Sequence, residues 1–244
     1  MRCFHLIIMI CVLTSLTAVS ADAKSLKRSD MEKTGNVYWD IRSEKKKLSL
    51  TFDDGPHPVY TEAVLDVLKQ HNVKATFFCI GSRIDKYPIT AKRIVEEGHE
   101  IGNHTMNHVY FHRLKRKDIL QELHSSAHHI RSLQPEGDKL FRPPGGSLNQ
   151  TAFKSILKEG YHIIMWSWNQ DPRDWKRPGK GKIVRHVVSH ARDGDIVLLH
   201  DGGGNRRQTV EALKEIIPQL KKQGYTFVKV SDLIGQDSGP FHIQ

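Results

Sequence analysis

Two carboxylates stand side by side at the end of an alternating apolar stretch, Leu48-Ser-Leu-Thr-Phe-Asp53-Asp54-Gly55-Pro56-His57. The alternation predicts a strand half buried against a core, and the Gly-Pro pair ends it. Successive side chains of a strand point to opposite faces, so the two acids need not share a partner. One can hold a metal while the other stays free to move a proton. A plain Asp-Asp-Gly turn capping the next helix accounts for the stretch equally well, so the rest of the chain must decide.

Further polar residues follow other strand-like runs. Gly102-Asn-His104-Thr-Met-Asn-His108 carries two histidines at i and i+4, able to face one metal if the segment is helical or tightly turned. Two histidines plus one carboxylate leave open coordination positions, the mark of a catalytic rather than a closed structural site. The spacing alone is weak. His108/His112, His124/His128 and His186/His190 share it, and the last two pairs fall on expected helices as surface or packing residues. His112 reads as a loop residue. Arg142 follows the fourth run in Phe141-Arg-Pro-Pro-Gly145-Gly146. Asp171, Asp174 and Trp175 follow the fifth, and Leu198-Leu-His200-Asp201 ends the sixth.

The elements that must position these groups alternate regularly. Strands are expected at 47–52, 75–80, 99–103, 139–142, 161–168, 195–200 and 225–230. Helices are expected at 60–71, 89–97, 115–132, 150–159, 182–191 and 209–223. Such alternation implies an α/β fold with parallel strands joined by right-handed crossovers. A closed barrel and an open doubly wound sheet both fit. Polar residues after strand ends all along the chain favour the barrel, which gathers those ends around one pocket. Trp166 and Trp168 are expected in the barrel wall or core, and Cys79 as a small core residue.

Composition sets the context. An apolar fraction of 38% and a charged fraction of 26% exclude a disordered chain. The excess of 37 Lys+Arg over 27 Asp+Glu, a formal charge of +10, favours an acidic partner such as an anionic envelope polymer or membrane surface. The basic clusters, Lys45–Lys47 and Arg113–Lys117, carry no nucleic-acid motif, so nucleic acid is not expected as a partner. Residues 1–23 have a weakly basic start, an apolar core and a small-residue exit. They read as a signal peptide, with an uncleaved membrane anchor as the alternative. A secreted or envelope-associated location follows, with a linker over 24–46 that touches the domain near its end, a catalytic domain over 47–235 and a short tail over 236–244. With Cys3 and Cys11 in the leader, only Cys79 remains, so no intrachain disulfide can form.

Thr51-Phe-Asp-Asp-Gly55, His104-Thr-x-x-His108, Arg142-Pro-Pro-Gly-Gly146, Asp171-x-x-Asp174-Trp175 and Leu198-x-His200 stand in the order of the five motifs of the polysaccharide deacetylases, carbohydrate esterase family four. The chain resembles that family over about residues 45–235. The resemblance implies a single-domain α/β fold, a distorted and often seven-stranded (β/α) barrel, together with a divalent metal, usually zinc, and hydrolysis of N-acetyl groups on amino sugars. It implies Asp54, His104 and His108 as metal ligands and Asp53 as the general base that activates the attacking water. His200 would be the general acid, Asp174 its partner, and Arg142 would orient Asp53. A backbone N–H near Gly145 would help hold the oxyanion, with Trp175 and Leu198 lining a small pocket for the acetyl methyl. Asp171 is expected to be structural. Many relatives carry an aromatic residue where this chain has Gly145, which opens one wall of the groove. The expected substrate is an amino-sugar polymer, peptidoglycan first and chitin-type oligomers second, acted on by a monomer. An inactive carbohydrate-binding protein is disfavoured because every motif position keeps its functional group. A two-metal phosphoesterase would show more bridging carboxylates.

Overall fold

The computed structural model describes residues 26–41, 45–137 and 139–235. The expected leader and C-terminal tail lie outside these residues. One sheet organises the molecule, and its axis is β2 (Lys47–Asp53). β2 is flanked by β3 (Thr76–Cys79) and β7 (Asp195–His200), with Phe52 level with Phe77 and Leu199. β4 (Glu100–Asn103), β5 (Leu140–Phe141), β6 (His162–Ile164) and β1 (Val37–Tyr38) continue the sheet beyond β3. All these strand pairs are parallel, which gives the order β1-β6-β5-β4-β3-β2-β7. A short β8 (Thr226–Phe227) joins β2 from the side.

β2 shows how the sequence builds this sheet. Leu48, Leu50 and Phe52 point outward into the main apolar cluster. There they meet α2 (Tyr60–Gln70) through Val64, Leu65 and Leu68, and α8 (Arg207–Lys222) through Leu213, Ile216 and Ile217. The alternate residues Ser49, Thr51 and Asp53 are also buried, so the strand is covered on both faces rather than half buried. These polar side chains survive inside because each finds a partner. Ser49 Oγ donates to Val228 O at 2.5 Å and Thr51 Oγ1 to Val197 O at 2.6 Å. A smaller interior cluster of Ile41, Phe78, Leu140, Ile164, Ile196, Val230 and Leu233 fills the space the curled sheet encloses.

The barrel is distorted where its two edges meet. No regular ladder joins β6 or β1 to β7. Irregular backbone spans the gap, with Ser167 N donating to Ile196 O, Leu198 N to Gln170 O, and Ile41 N to Gly194 O. The seven-strand expectation is met by a different set of seven. The expected last strand over 225–230 shrinks to β8, because Val230 already begins α9 (Val230–Ile234) and Asp232 Oδ2 accepts from Lys229 N. The seventh strand of the path is β1, inside the stretch expected to be a linker.

Residues 28–41 of that stretch pack against the domain. They form α1 (Arg28–Glu32) and β1, with Val37 beside Ile163 and Met31, Val37 and Ile41 buried. Trp168 is likewise not in the wall: the sixth strand stops at Ile164 and Trp168 is 89% exposed, while Trp166 packs partly buried against the core. Cys79 is fully buried, as expected of a core residue. No helix among the described residues is long and apolar enough to cross a membrane.

Ile41→Ala should lower unfolding stability by about 2–4 kcal/mol in urea titration, the range for deleting a buried aliphatic side chain. A loss within about 0.5 kcal/mol, typical of surface positions, would return this segment to the status of a linker.

Candidate active site

Parallel strands with helices on their outer face bring all the strand C-termini to one rim. Asp53 ends β2, His104 follows β4, Arg142 follows β5 and His200 ends β7. The structure therefore places the sequence-predicted residues side by side. Asp53 and His200 are direct register partners across β2 and β7.

Arg142 is fully buried, and its guanidinium finds four partners. Nη1 donates to Asp53 Oδ1 at 2.8 Å and Thr51 Oγ1 at 2.7 Å, Nε to Ile164 O at 3.0 Å, and Nη2 to Met165 O at 2.8 Å. The carbon of the fork lies 4.0 Å from the centre of the Phe78 ring. One oxygen of Asp53 is thereby fixed, while Oδ2 lies 3.9 Å from His104 Nε2.

Asp54 turns away from Asp53 through a left-handed backbone (φ 73°), a conformation aspartate tolerates better than most residues. Its Oδ1 lies 3.1 Å from His108 Nε2 and 3.6 Å from His104 Nε2. Ligand bonds of about 2.0–2.2 Å in a tetrahedral set put donor atoms about 3.4 Å apart. The spacing of these atoms, all within 4.8 Å of one another, fits one small divalent ion. The tautomer fits as well. His104 Nδ1 donates to Arg142 O at 2.7 Å, which turns the Nε2 lone pair toward Asp54. Burial holds the His104 pKa down, keeping the ring neutral as a ligand must be. Burial pushes Asp54 up, but the His108 hydrogen bond and the His104 and His200 rings outweigh it and hold the carboxyl well below its usual range. The histidine pair is not helical. Thr105 (φ 69°) and His108 (φ 57°) fold the segment into tight turns, anchored by Asn103 Oδ1 accepting from Thr105 N.

On the facing side, His200 Nδ1 meets Asp174 Oδ1 at 2.7 Å. The other oxygen of Asp174 accepts from His200 N at 2.9 Å and from Thr209 Oγ1 at 2.7 Å. Burial lowers the His200 pKa, yet the Asp174 hydrogen bond and charge, with those of Asp53 and Asp54, push it up to about 9. Asp174 thus engages the Nδ1 side of the His200 ring, not Nε2. Leu198 is buried one strand period below His200, and Trp175 stands 47% exposed beside Asp174. Asp171 Oδ1 accepts from Arg173 N, a local turn contact. His112 sits exposed in a short 3-10 turn, Phe111–Arg113, near Ser147. Gly145 adopts φ 59°, and a Cβ there would stand 2.6 Å from the Tyr110 ring.

Sequence reasoning missed two contributors. Asp201 is fully buried behind the site, accepts from Thr61 Oγ1, and has its pKa pushed up to about 7, chiefly by burial. A Cβ on Gly55 would collide with its carboxylate. Gly202 and Gly203 bring backbone against Asp54 so closely that a Cβ on either would collide with it. The run Asp201-Gly-Gly-Gly204 was the available signal for such close approach.

Residues 40–164 match the family model described as polysaccharide deacetylase. A peptidoglycan-N-acetylglucosamine deacetylase of Bacillus cereus is 49% identical over 209 residues, 86% of this chain and 98% of that protein. A chitooligosaccharide deacetylase of Bradyrhizobium is 41% identical over 200 residues, covering 77% of this chain and 90% of that protein. The crystal structure of the Bc1960 peptidoglycan N-acetylglucosamine deacetylase superimposes with a TM-score of 0.80 at 33% identity, over 84% of this chain and 95% of that one. The chain belongs to the polysaccharide deacetylase family.

Proposed function

We propose that the protein is a metal-dependent hydrolase that removes N-acetyl groups from amino sugars of a cell-envelope polysaccharide, peptidoglycan first. One observation carries this reading: the two adjacent acids have different partners, Asp54 facing two imidazoles and Asp53 a buried guanidinium. Asp54, His104 and His108 would hold a divalent ion, zinc in our reading, which would supply Lewis-acid polarisation of the acetamide carbonyl and acidify the attacking water.

The chain's own groups do the rest. Arg142 holds Asp53 Oδ1, so Oδ2 is the atom positioned to take the proton from water. Asp174 holds His200 Nδ1, so Nε2 is placed to protonate the departing amine. Backbone near Gly145 supplies an oxyanion donor, and Leu198 and Trp175 bound a pocket sized for the acetyl methyl. The relatives named for peptidoglycan and the basic net charge both support an envelope substrate and an extracytoplasmic location, reached through the N-terminal leader. A chitooligosaccharide substrate is the second reading, favoured by the Bradyrhizobium relative.

Asp53→Asn should keep one metal per chain yet lose acetate release from an N-acetylated glycan by about 10²–10⁴-fold or more. His104→Ala should lose both metal and activity. Metal content and released acetate measure these outcomes, and full activity in Asp53→Asn would sink the assignment of the base.

The acid arm has a pH signature. His200 must be protonated to donate, a form present below its folded pKa and lost as pH rises through it. Asp174→Asn removes the leading upward influence on a pKa that stands near 9 and drops it toward the ordinary 6.5. The alkaline limb of the kcat/KM profile should therefore move to lower pH in this variant. An unmoved limb would assign it to another group.

A further inference from the structure

The turn that carries Asp174 continues into a strongly basic stretch. Between Arg173 and Arg185 the chain has six basic residues and one acid, Asp174, which is buried against His200. Arg173, Lys176, Arg177, Lys180, Lys182 and Arg185 are all exposed. Lys180 pairs with Glu215 at 2.5 Å, and Lys176 Nζ lies 4.9 Å from the Trp175 ring centre. Among the described residues no carboxylate forms a salt bridge with Arg173, Arg177 or Lys182.

The backbone makes a second, independent point. Arg173 (φ 51°, ψ 44°) and Arg177 (φ 55°, ψ 54°) are both left-handed and bracket the 3-10 turn Asp174–Lys176. Fold alone favours glycine or asparagine at such positions. Arginine at both points to a use for the charges, since strained backbone gathers at working sites. The turn is also held firmly at the rim. Asp174 binds His200, Trp175 O accepts from Arg206 Nη1, and Gly179 N donates to Gln208 Oε1. Arg173 and Arg177 thus flank in sequence the Asp174 that holds the histidine assigned to protonate the leaving amine, with half-exposed Trp175 in the same turn.

We infer that Arg173, Arg177 and their neighbouring lysines form an anion subsite that grips carboxylates along a glycan strand and selects a carboxylate-bearing amino-sugar polymer over a neutral one. The inference rests on the deacetylase reading above. Charge complementarity carries it: guanidinium forks match carboxylates bidentately, whereas a neutral oligomer of N-acetylglucosamine offers these cations nothing.

The test uses the double variant Arg173→Asn/Arg177→Asn, which removes both charges while placing a residue suited to the left-handed backbone, so the melting temperature should hold or rise. Acetate release is compared on carboxylate-bearing peptidoglycan fragments and on neutral N-acetylglucosamine oligomers of equal length, at low and physiological salt. The wild-type preference for the anionic substrate should fall about tenfold in the variant, equivalent to about 1.4 kcal/mol, and its salt sensitivity should fall with it. Calorimetric affinity for the same fragments reads the subsite without turnover. Weaker, less salt-dependent binding by the variant supports the subsite even if no acetate is released, in which case the deacetylase reading alone has failed. A folded variant with unchanged preference and unchanged affinity would overturn the inference.

Discussion

The buried ion pair between Arg142 and Asp53 is the constraint on which the rest of the structure depends. A fully buried guanidinium is strongly unfavourable unless its donors are matched. Here they are matched by groups from two separate parts of the sheet, Thr51 and Asp53 on β2 and the carbonyls of Ile164 and Met165 at the end of β6, while Arg142 itself follows β5. Thr51 and Asp53 on the interior face of β2 receive it, while Ser49 on the same face pairs with Val228 O. The Arg142 carbonyl in turn sets the His104 tautomer, so one residue ties the carboxylate of Asp53 to the imidazole beside Asp54.

The different partners of the adjacent acids follow from backbone geometry. Asp53 keeps the strand conformation and points inward to Arg142, whereas the left-handed turn at Asp54 swings its carboxylate toward the histidines. Close approach of Gly202 and Gly203 seats Asp54 there, and Asp201 fills the space behind Gly55. On the other side Asp174 uses both oxygens, orienting the His200 ring with one and its backbone with the other.

Much of this arrangement was legible in the sequence, because a parallel β/α ladder delivers every strand C-terminus to one rim. Asp53, Asp54, His104, His108, Arg142, Asp174 and His200 each follow a strand or the loop after one, so their convergence could be argued before any coordinates. The illegible parts share a cause: short elements whose conformation is set by neighbours rather than by periodicity. β1 is two residues long and exists only because β6 offers it an edge. Trp168 looked like strand because the apolar run continues past Ile164, but Ser167 turns its backbone and hydroxyl to Ile196 and the chain leaves the ladder. Asp201 was hidden by its neighbour His200, since nothing in composition distinguishes a buried acid from a turn aspartate.

The central claim, that neighbouring aspartates divide metal binding and proton transfer, is tested most directly by crystallography with anomalous scattering on crystals grown with zinc. The account predicts one strong peak per chain, about 2.0–2.2 Å from Asp54 and from the Nε2 atoms of His104 and His108, with Asp53 outside ligand distance and still bound to Arg142. A peak that engages Asp53 directly, or one that leaves either histidine unligated, would contradict it.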